Sequence, residues 1–242
     1  MRHEAPRASS ANVRQSVAIA IAIAAILCLA QPLRWLDPLE ARLIDLRFVL
    51  RGERTPSSSI VIVTIDDDTV HQYPSLPSDP QLHAELIRRL AAAGVAAIGL
   101  DIPELARPAL DGVDTSGNGV QPYQDLTAAL SESGRVVLPV VWVRGDERAG
   151  NGAPAPVSRF AIGKGKLTKP VELLHPRMLH PRADLCAAAA GLGVLNVYPD
   201  RDWTVRQAPL LLEADGLLYP SLALEMARVA AGGQVRVTQE GR

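Results

Sequence analysis

The sequence predicts a single α/β domain of three-layer-like architecture, with a mainly parallel or mixed sheet, preceded by one transmembrane helix. Three observations predict it: an N-terminal apolar run, β-branched runs that alternate with helical periodicity, and a globular composition. The chain has 242 residues, of which 48% are hydrophobic and 21% charged, and this excludes a disordered chain. About 200 residues remain after a membrane segment, which is enough for one domain with its own core.

Charge and cysteine content restrict the partners. The net charge is −1 and aromatic residues make up 4%, so the chain lacks the basic surplus and stacking surface of a nucleic-acid binder. Cys28 lies in the apolar run and Cys186 lies far from it, so we expect neither a disulfide framework nor a zinc site. We therefore predict no nucleic-acid partner, no metal and no cofactor.

The N-terminal run predicts a membrane anchor. Residues 17–30 are apolar without a break, and a helix over residues 16–34 is near the lower limit for crossing a hydrocarbon core of about 30 Å. Cationic residues before the run place the N-terminus in the cytoplasm; these are Arg2, Arg7 and Arg14. We predict a single-pass inner-membrane protein with a cytoplasmic tail (1–15) and an extracytoplasmic domain (35–242). A signal peptide cleaved near Cys28 and a buried soluble helix are the alternative interpretations.

A helical stem and a βαβ unit are predicted next. Asp37 and Pro38 suit a helix start, and leucines recur at helical spacing up to Gly52. The β-branched run 60–65 is typical of a strand buried on both faces. A helix from Asp79 to Gly94 and a second strand over 95–100 follow, so the two strands should be parallel with a right-handed crossover.

The remaining elements are predicted from turn residues and apolar periodicity. We expect the strand 136–143 to lie at a sheet edge or a bulge, because Pro139 removes a ladder donor. Asp215 and Gly216 indicate a hairpin turn. The other predicted elements are helices over 123–133, 185–190 and 221–231 and strands over 194–197 and 205–212.

Acidic residues follow both strands of the βαβ unit. Asp66, Asp67 and Asp68 follow the first strand, and Asp101 follows the second. Because ligands of open α/β folds bind at the carboxyl ends of strands, Asp66 with Asp101 is the predicted pocket for a cation, amine or hydroxyl ligand. The alternative is that these acids cap helices and turns.

The same acids raise an enzyme hypothesis. An apolar strand followed by Asp-x-Asp resembles the opening motif of haloacid-dehalogenase-like phosphatases, with Asp66 as nucleophile, Asp68 as general acid and magnesium as counter-ion. His71 breaks the apolar position that this motif expects next. We therefore predict no enzyme and no catalytic residue, with this phosphatase as the alternative.

Several stretches, taken together in their order, resemble the CHASE2 family over residues 39–231. They are residues 45–47, 60–67, 86–101, 193–196, 199–200, 205–206, 209–211 and 219–224. The sequence departs from that family at Tyr73-Pro74, where the family has a Trp-Pro pair, and at Ile102-Pro103-Glu104, where the family is aromatic.

The resemblance implies an extracytoplasmic sensory domain of a bacterial signalling protein. The predicted ligand-binding residues are Asp66, Asp67, Asp101, Arg47, Asn196 and Arg206. Arg47 and Arg206 are also expected to pair with acids or to lie on the surface.

The expected partners are the lipid bilayer, a small-molecule ligand, and a second copy or a signalling protein. No output domain is recognised before Arg242, so we expect action through a partner or a remnant of a longer receptor. A non-catalytic, membrane-anchored interaction module is the remaining alternative.

Overall fold

The computed structural model describes residues 14–22, 25, 37–76, 79–106, 120–144, 157, 160–165, 176–200, 202–214 and 216–238. The chain divides into two compact units, Met1–Ile62 and Val63–Arg242. Each unit is described by itself. The predicted domain start at residue 35 stays a prediction.

The described part of the first unit contains helix at residues 14–22 and 37–51, and residues 52–62 are irregular. Residues 14–22 are helical, and the predicted stem is the helix α1 (Asp37–Arg51). Gly52 ends α1 in a left-handed conformation, and its N–H donates to the carbonyl of Phe48. Among the residues that the structure describes, no helix combines the length and the apolar character that a membrane crossing needs. Most of the predicted span 16–34 lies outside these residues, so the anchor stays a prediction.

The predicted strand over residues 60–65 is wrong. These residues have no strand assignment, and the side chain of Ile62 is 83% exposed. The apolar composition predicted burial between two strands. Within the described chain, however, no ladder partner pairs with this run. The βαβ unit therefore lacks its first strand, although its helix and its second strand are present.

The second unit contains a mixed sheet, as predicted. Its three parallel strands are β1 (Ile98–Gly99), β2 (Val136–Arg144) and β5 (Gly191–Val194). The strand β4 (Pro176–Leu179) pairs antiparallel with the last residues of β2. The strand β2 pairs with β1 through Val136 and Val137, and with β5 from Val137 to Val140. The predicted strand over 194–197 thus lies earlier in the chain, at β5.

The prediction that Pro139 marks a sheet edge or a bulge is wrong, because Pro139 pairs in regular register with Gly193 of β5. The strand β2 pairs with three other strands and lies inside the sheet. The ladder with β1 reaches Val137 and the ladder with β4 begins at Val141. Pro139 lies between these two ladders, where its missing N–H interrupts neither.

A small antiparallel sheet contains the predicted hairpin. The strands β6 (Leu211–Ala214) and β7 (Leu217–Pro220) pair on either side of a turn in which Gly216 has φ 71°. The strand β3 (Gly163–Lys164) adds to the other edge of β7. The predicted strand over 205–212 is therefore shorter and begins later.

Capping residues set the helix boundaries. Asp79 accepts hydrogen bonds from the N–H groups of Gln81 and Leu82, and Ser221 accepts one from Leu224. In chain order, the helices of this unit are α2 (Asp67–Gln72), α3 (Pro80–Ala92), α4 (Val120–Ser133), α5 (Ala183–Ala188) and α6 (Leu222–Ala231). A short 3-10 helix covers Pro103–Ala106.

Glycines bring α6 close to the sheet. A Cβ atom at Gly99 would collide with the sulfur of Met226, and one at Gly193 would collide with the main chain of Leu222. A small residue is therefore required at Gly193, where the main chain of α6 meets β5, whereas the flexible Met226 side chain can move away from β1.

Candidate ligand site

Asp66 is a helix cap. Its carboxylate accepts hydrogen bonds from the N–H of Thr69 at 2.9 Å and from the Thr69 hydroxyl at 2.5 Å, at the start of α2. These two bonds, the hydroxyl contribution first, hold the pKa of Asp66 below its ordinary value. Asp67 and Asp68 lie in the first turn of α2, where acids favour the positive end of the helix dipole. The capping alternative is thus confirmed for Asp66.

Substituting Thr69 with valine is expected to raise the pKa of Asp66 toward its ordinary value, because the larger of the two hydrogen bonds is lost. A lowered carboxyl pKa contributes stability above the ordinary pKa, and this stability is lost as the pH falls through the folded value. The cap in the valine variant should therefore release at a higher pH. Carboxyl ¹³C titration of both proteins measures the two pKa values, and equal values would contradict the role of the hydroxyl.

Asp101 follows β1 by two residues and is exposed. Within the described residues, no group of three or more His, Cys, Asp or Glu side chains is arranged to hold a metal ion. The pairing of Asp66 with Asp101 stays a prediction. Arg47 lies on α1, in the first unit, and its ligand role is likewise a prediction.

Asn196 holds the main chain of the central strand. Its side-chain oxygen accepts from the N–H of Trp142, and its side-chain nitrogen donates to the carbonyl of Trp142, both at 2.7 Å. The main-chain pairing of β5 with β2 ends at the hydrogen bond from the N–H of Leu195 to the carbonyl of Val140. The Asn196 amide therefore continues the ladder by one residue and orients Trp142.

Substituting Asn196 with leucine is expected to cost about 1–2 kcal/mol of unfolding free energy, because two partly buried main-chain groups lose their partner. Urea unfolding measures the change. Asn196→Asp keeps the side-chain oxygen that accepts from Trp142 and loses the nitrogen that donates to it. Its loss of unfolding free energy should therefore differ from that of Asn196→Leu. Equal stability of the leucine variant and the parent would exclude this role.

Arg206 pairs with acids inside its own loop, which confirms that expectation. Its guanidinium donates to Asp200 at 2.9 Å and to both carboxylate oxygens of Asp202 at 2.7 and 2.8 Å, and its side chain is only 6% exposed. These bonds, with help from the N–H of Thr204, hold the pKa of Asp202 far below its usual range. The cluster rigidifies the loop, whose tip is Trp203 at φ 63° with 85% of its surface exposed.

Three aromatic side chains gather near Asn196. The rings of Trp142 and Tyr219 meet edge to face, with centroids 6.2 Å apart and planes at 77°. Tyr198 packs against the same core, and burial raises the pKa of its phenol. These aromatic residues were not predicted as part of a site, because only the parallel pairing of β2 and β5 brings residues 142 and 196 to one end of the sheet.

A buried ion pair anchors α6 to β5. The carboxylate of Glu225 accepts from the Nε of Arg228 at 2.9 Å and from its Nη2 at 2.7 Å, and Nη2 also donates to the carbonyl of Ala190 at 2.9 Å. The Glu225 side chain is 3% exposed. Glu225 lies within the apolar periodicity of the last helix, and this position is the sequence signal that could have revealed the ion pair.

Comparison with protein families gives one match: the CHASE2 domain, over residues 18–241. Comparison with curated proteins gives no match, and comparison with solved structures gives none either.

Proposed function

Since this chain belongs to the CHASE2 domain family, a family of extracytoplasmic sensory, non-catalytic domains, we propose that it is a membrane-anchored sensor that binds a small molecule. The match over residues 18–241 is the observation that carries the proposal, because it includes almost the whole chain.

The charge and hydropathy of the N-terminal region support the membrane anchor. The apolar run 17–30 follows three arginines, and cationic flanks stay on the cytoplasmic side of a membrane. We therefore propose that residues 16–34 span the inner membrane and that residues 35–242 are extracytoplasmic. The stem helix α1 follows the anchor directly in the sequence.

Signal transmission requires a ligand that binds one arrangement of the protein more tightly than another. In the proposed sequence of events, ligand binding in the second unit changes the stem helix α1. A second copy of the chain or a signalling protein then reads this change. The alternative of a passive interaction module differs in one respect, since its partner would bind equally with and without ligand.

No observation in the described residues favours the phosphatase over the sensor. The Asp66 carboxylate, its proposed nucleophile, is engaged by Thr69 as a helix cap.

Membrane topology tests the proposal. Reporters that are active on only one side of the membrane are fused after Arg14 or after Arg242, in two separate fusions to the chain. We expect the Arg14 fusion to be active inside, the Arg242 fusion outside, and both products to stay in the membrane fraction. A full-length product size separates an anchor from a cleaved signal peptide. Activity of the Arg242 fusion in the cytoplasm would overturn the proposal.

A further inference from the structure

A buried indole donor lies at the carboxyl end of the parallel strands. Trp142 is 4% exposed, and within the described part of the chain its Nε1 has no hydrogen-bond partner. Leaving such a donor buried and unpaired is costly, because the N–H loses its hydrogen bond to water without gaining one in the protein. A native fold rarely retains this cost without a use for the donor.

The indole is held firmly in place. The Asn196 amide fixes both main-chain polar groups of Trp142, and the ring of Tyr219 packs against the indole edge to face. The donor is therefore largely preorganised, since its main chain is hydrogen-bonded and its ring is buried and packed against Tyr219. Preorganised donors favour ligand binding because little entropy is lost on contact.

A second buried donor without a described partner lies in the segment that contains Asn196. The hydroxyl of Tyr198 is buried and, among the described residues, has no hydrogen-bond partner. Tyr198 lies two residues beyond Asn196, and two residues of extended chain span at most about 7 Å. The Cα atom of Tyr198 therefore lies within about 7 Å of the Cα atom of Asn196, the residue whose amide fixes Trp142.

The charge of the segment that contains Asn196, Tyr198 and Arg206 indicates the class of ligand. Its described cation, Arg206, is engaged by Asp200 and Asp202, so among the described residues of the segment no free positive charge accompanies the two donors. We propose that Trp142 and Tyr198 form a site for a small uncharged molecule with an apolar body and a carbonyl-type acceptor. The site rests on the sensor function proposed above and supplies its ligand class.

Binding at this site also provides a switch. Both donor atoms are shielded from solvent, so a ligand enters only when the segment around them opens. A ligand that satisfies the two donors then stabilises the occupied arrangement, whereas the empty arrangement carries the cost of leaving them unpaired. The difference in affinity that a sensor needs is therefore present in the site.

A matched pair of probes tests the proposal on the full chain in detergent. Cyclohexanone carries the acceptor, and methylenecyclohexane has nearly the same shape without a carbonyl oxygen. The chain has three tryptophans, so ¹⁵N-indole labelling gives three Nε1–H resonances, which single Trp→Phe variants assign. We expect cyclohexanone to shift the Trp142 resonance saturably, methylenecyclohexane to leave it unchanged, and the exposed Trp203 to respond to neither.

The variant Tyr198→Phe removes the second donor and keeps the ring. It should weaken cyclohexanone binding by about 2- to 10-fold, as expected for one hydrogen bond. Absence of a saturable Trp142 shift with cyclohexanone would overturn the proposal, as would equal shifts with both probes. Either result leaves the topology test unaffected, so failure of the site and failure of the sensor function are distinguishable.

Discussion

Substituting Gly193 with alanine is expected to destabilise the protein by about 3 kcal/mol, at the upper end of the range for overpacked cores. The added Cβ would overlap the Cα of Leu222 and lie 2.8 Å from its nitrogen. These atoms belong to the main chain at the start of α6, so relief requires the whole helix to move away from β5. Urea unfolding, followed by near-ultraviolet circular dichroism, measures the loss.

Gly233→Ala is the matched control. No atom lies within 4 Å of a Cβ built at Gly233, which follows α6 rather than packing on the sheet. Its stability should stay within the error of the measurement. Comparable losses at both positions would exclude the approach of α6 to β5 as the cause, because the gain in unfolded-state order from Gly→Ala favours folding at either site.

Local signals in the sequence predicted several element boundaries. Asp79 and Pro80 at the start of α3, Ser221 before α6 and Gly216 in the hairpin each act on neighbouring main-chain groups. Such capping and turn effects depend on residues within one turn of the chain. They can therefore be recognised without knowledge of the tertiary fold.

Predictions that depended on distant pairing were less successful. The run 60–65 is apolar enough for a buried strand, but composition does not identify a ladder partner. Pro139 was placed at an edge because its surroundings in the sheet were unknown, whereas it lies between the ladders with β1 and β4.

The candidate site depends on the same long-range register. Asn196 was predicted as a ligand-binding residue, and the structure uses its amide to hold Trp142, 54 residues away. Among the described residues, two aromatic side chains of this region, Trp142 and Tyr198, have a buried donor without a hydrogen-bond partner. The ligand role of Asn196 itself stays a prediction.

Substituting Arg228 with methionine is expected to cost about 3–5 kcal/mol, the usual consequence of leaving one member of a buried ion pair alone. The Glu225 carboxylate would lose two charge-assisted hydrogen bonds while remaining enclosed beside Gly191. The carbonyl of Ala190 would lose its donor as well. Urea unfolding of the variant and the parent measures the loss.

Arg89→Met is the matched control, because Arg89 pairs with Glu85 on one helix and both side chains are more than half exposed. Water replaces the arginine there, so we expect little or no change in stability.

The double variant Glu225→Leu/Arg228→Met separates the value of the pair from the cost of a lone buried charge. If the unpaired carboxylate causes the loss, removing it should restore most of the stability, because apolar groups often replace a buried ion pair without penalty. If the double variant is as unstable as Arg228→Met, the loss comes from the bond to Ala190 and from packing. Glu225 would then carry no burial cost of its own, and the anchoring of α6 would depend on the arginine alone.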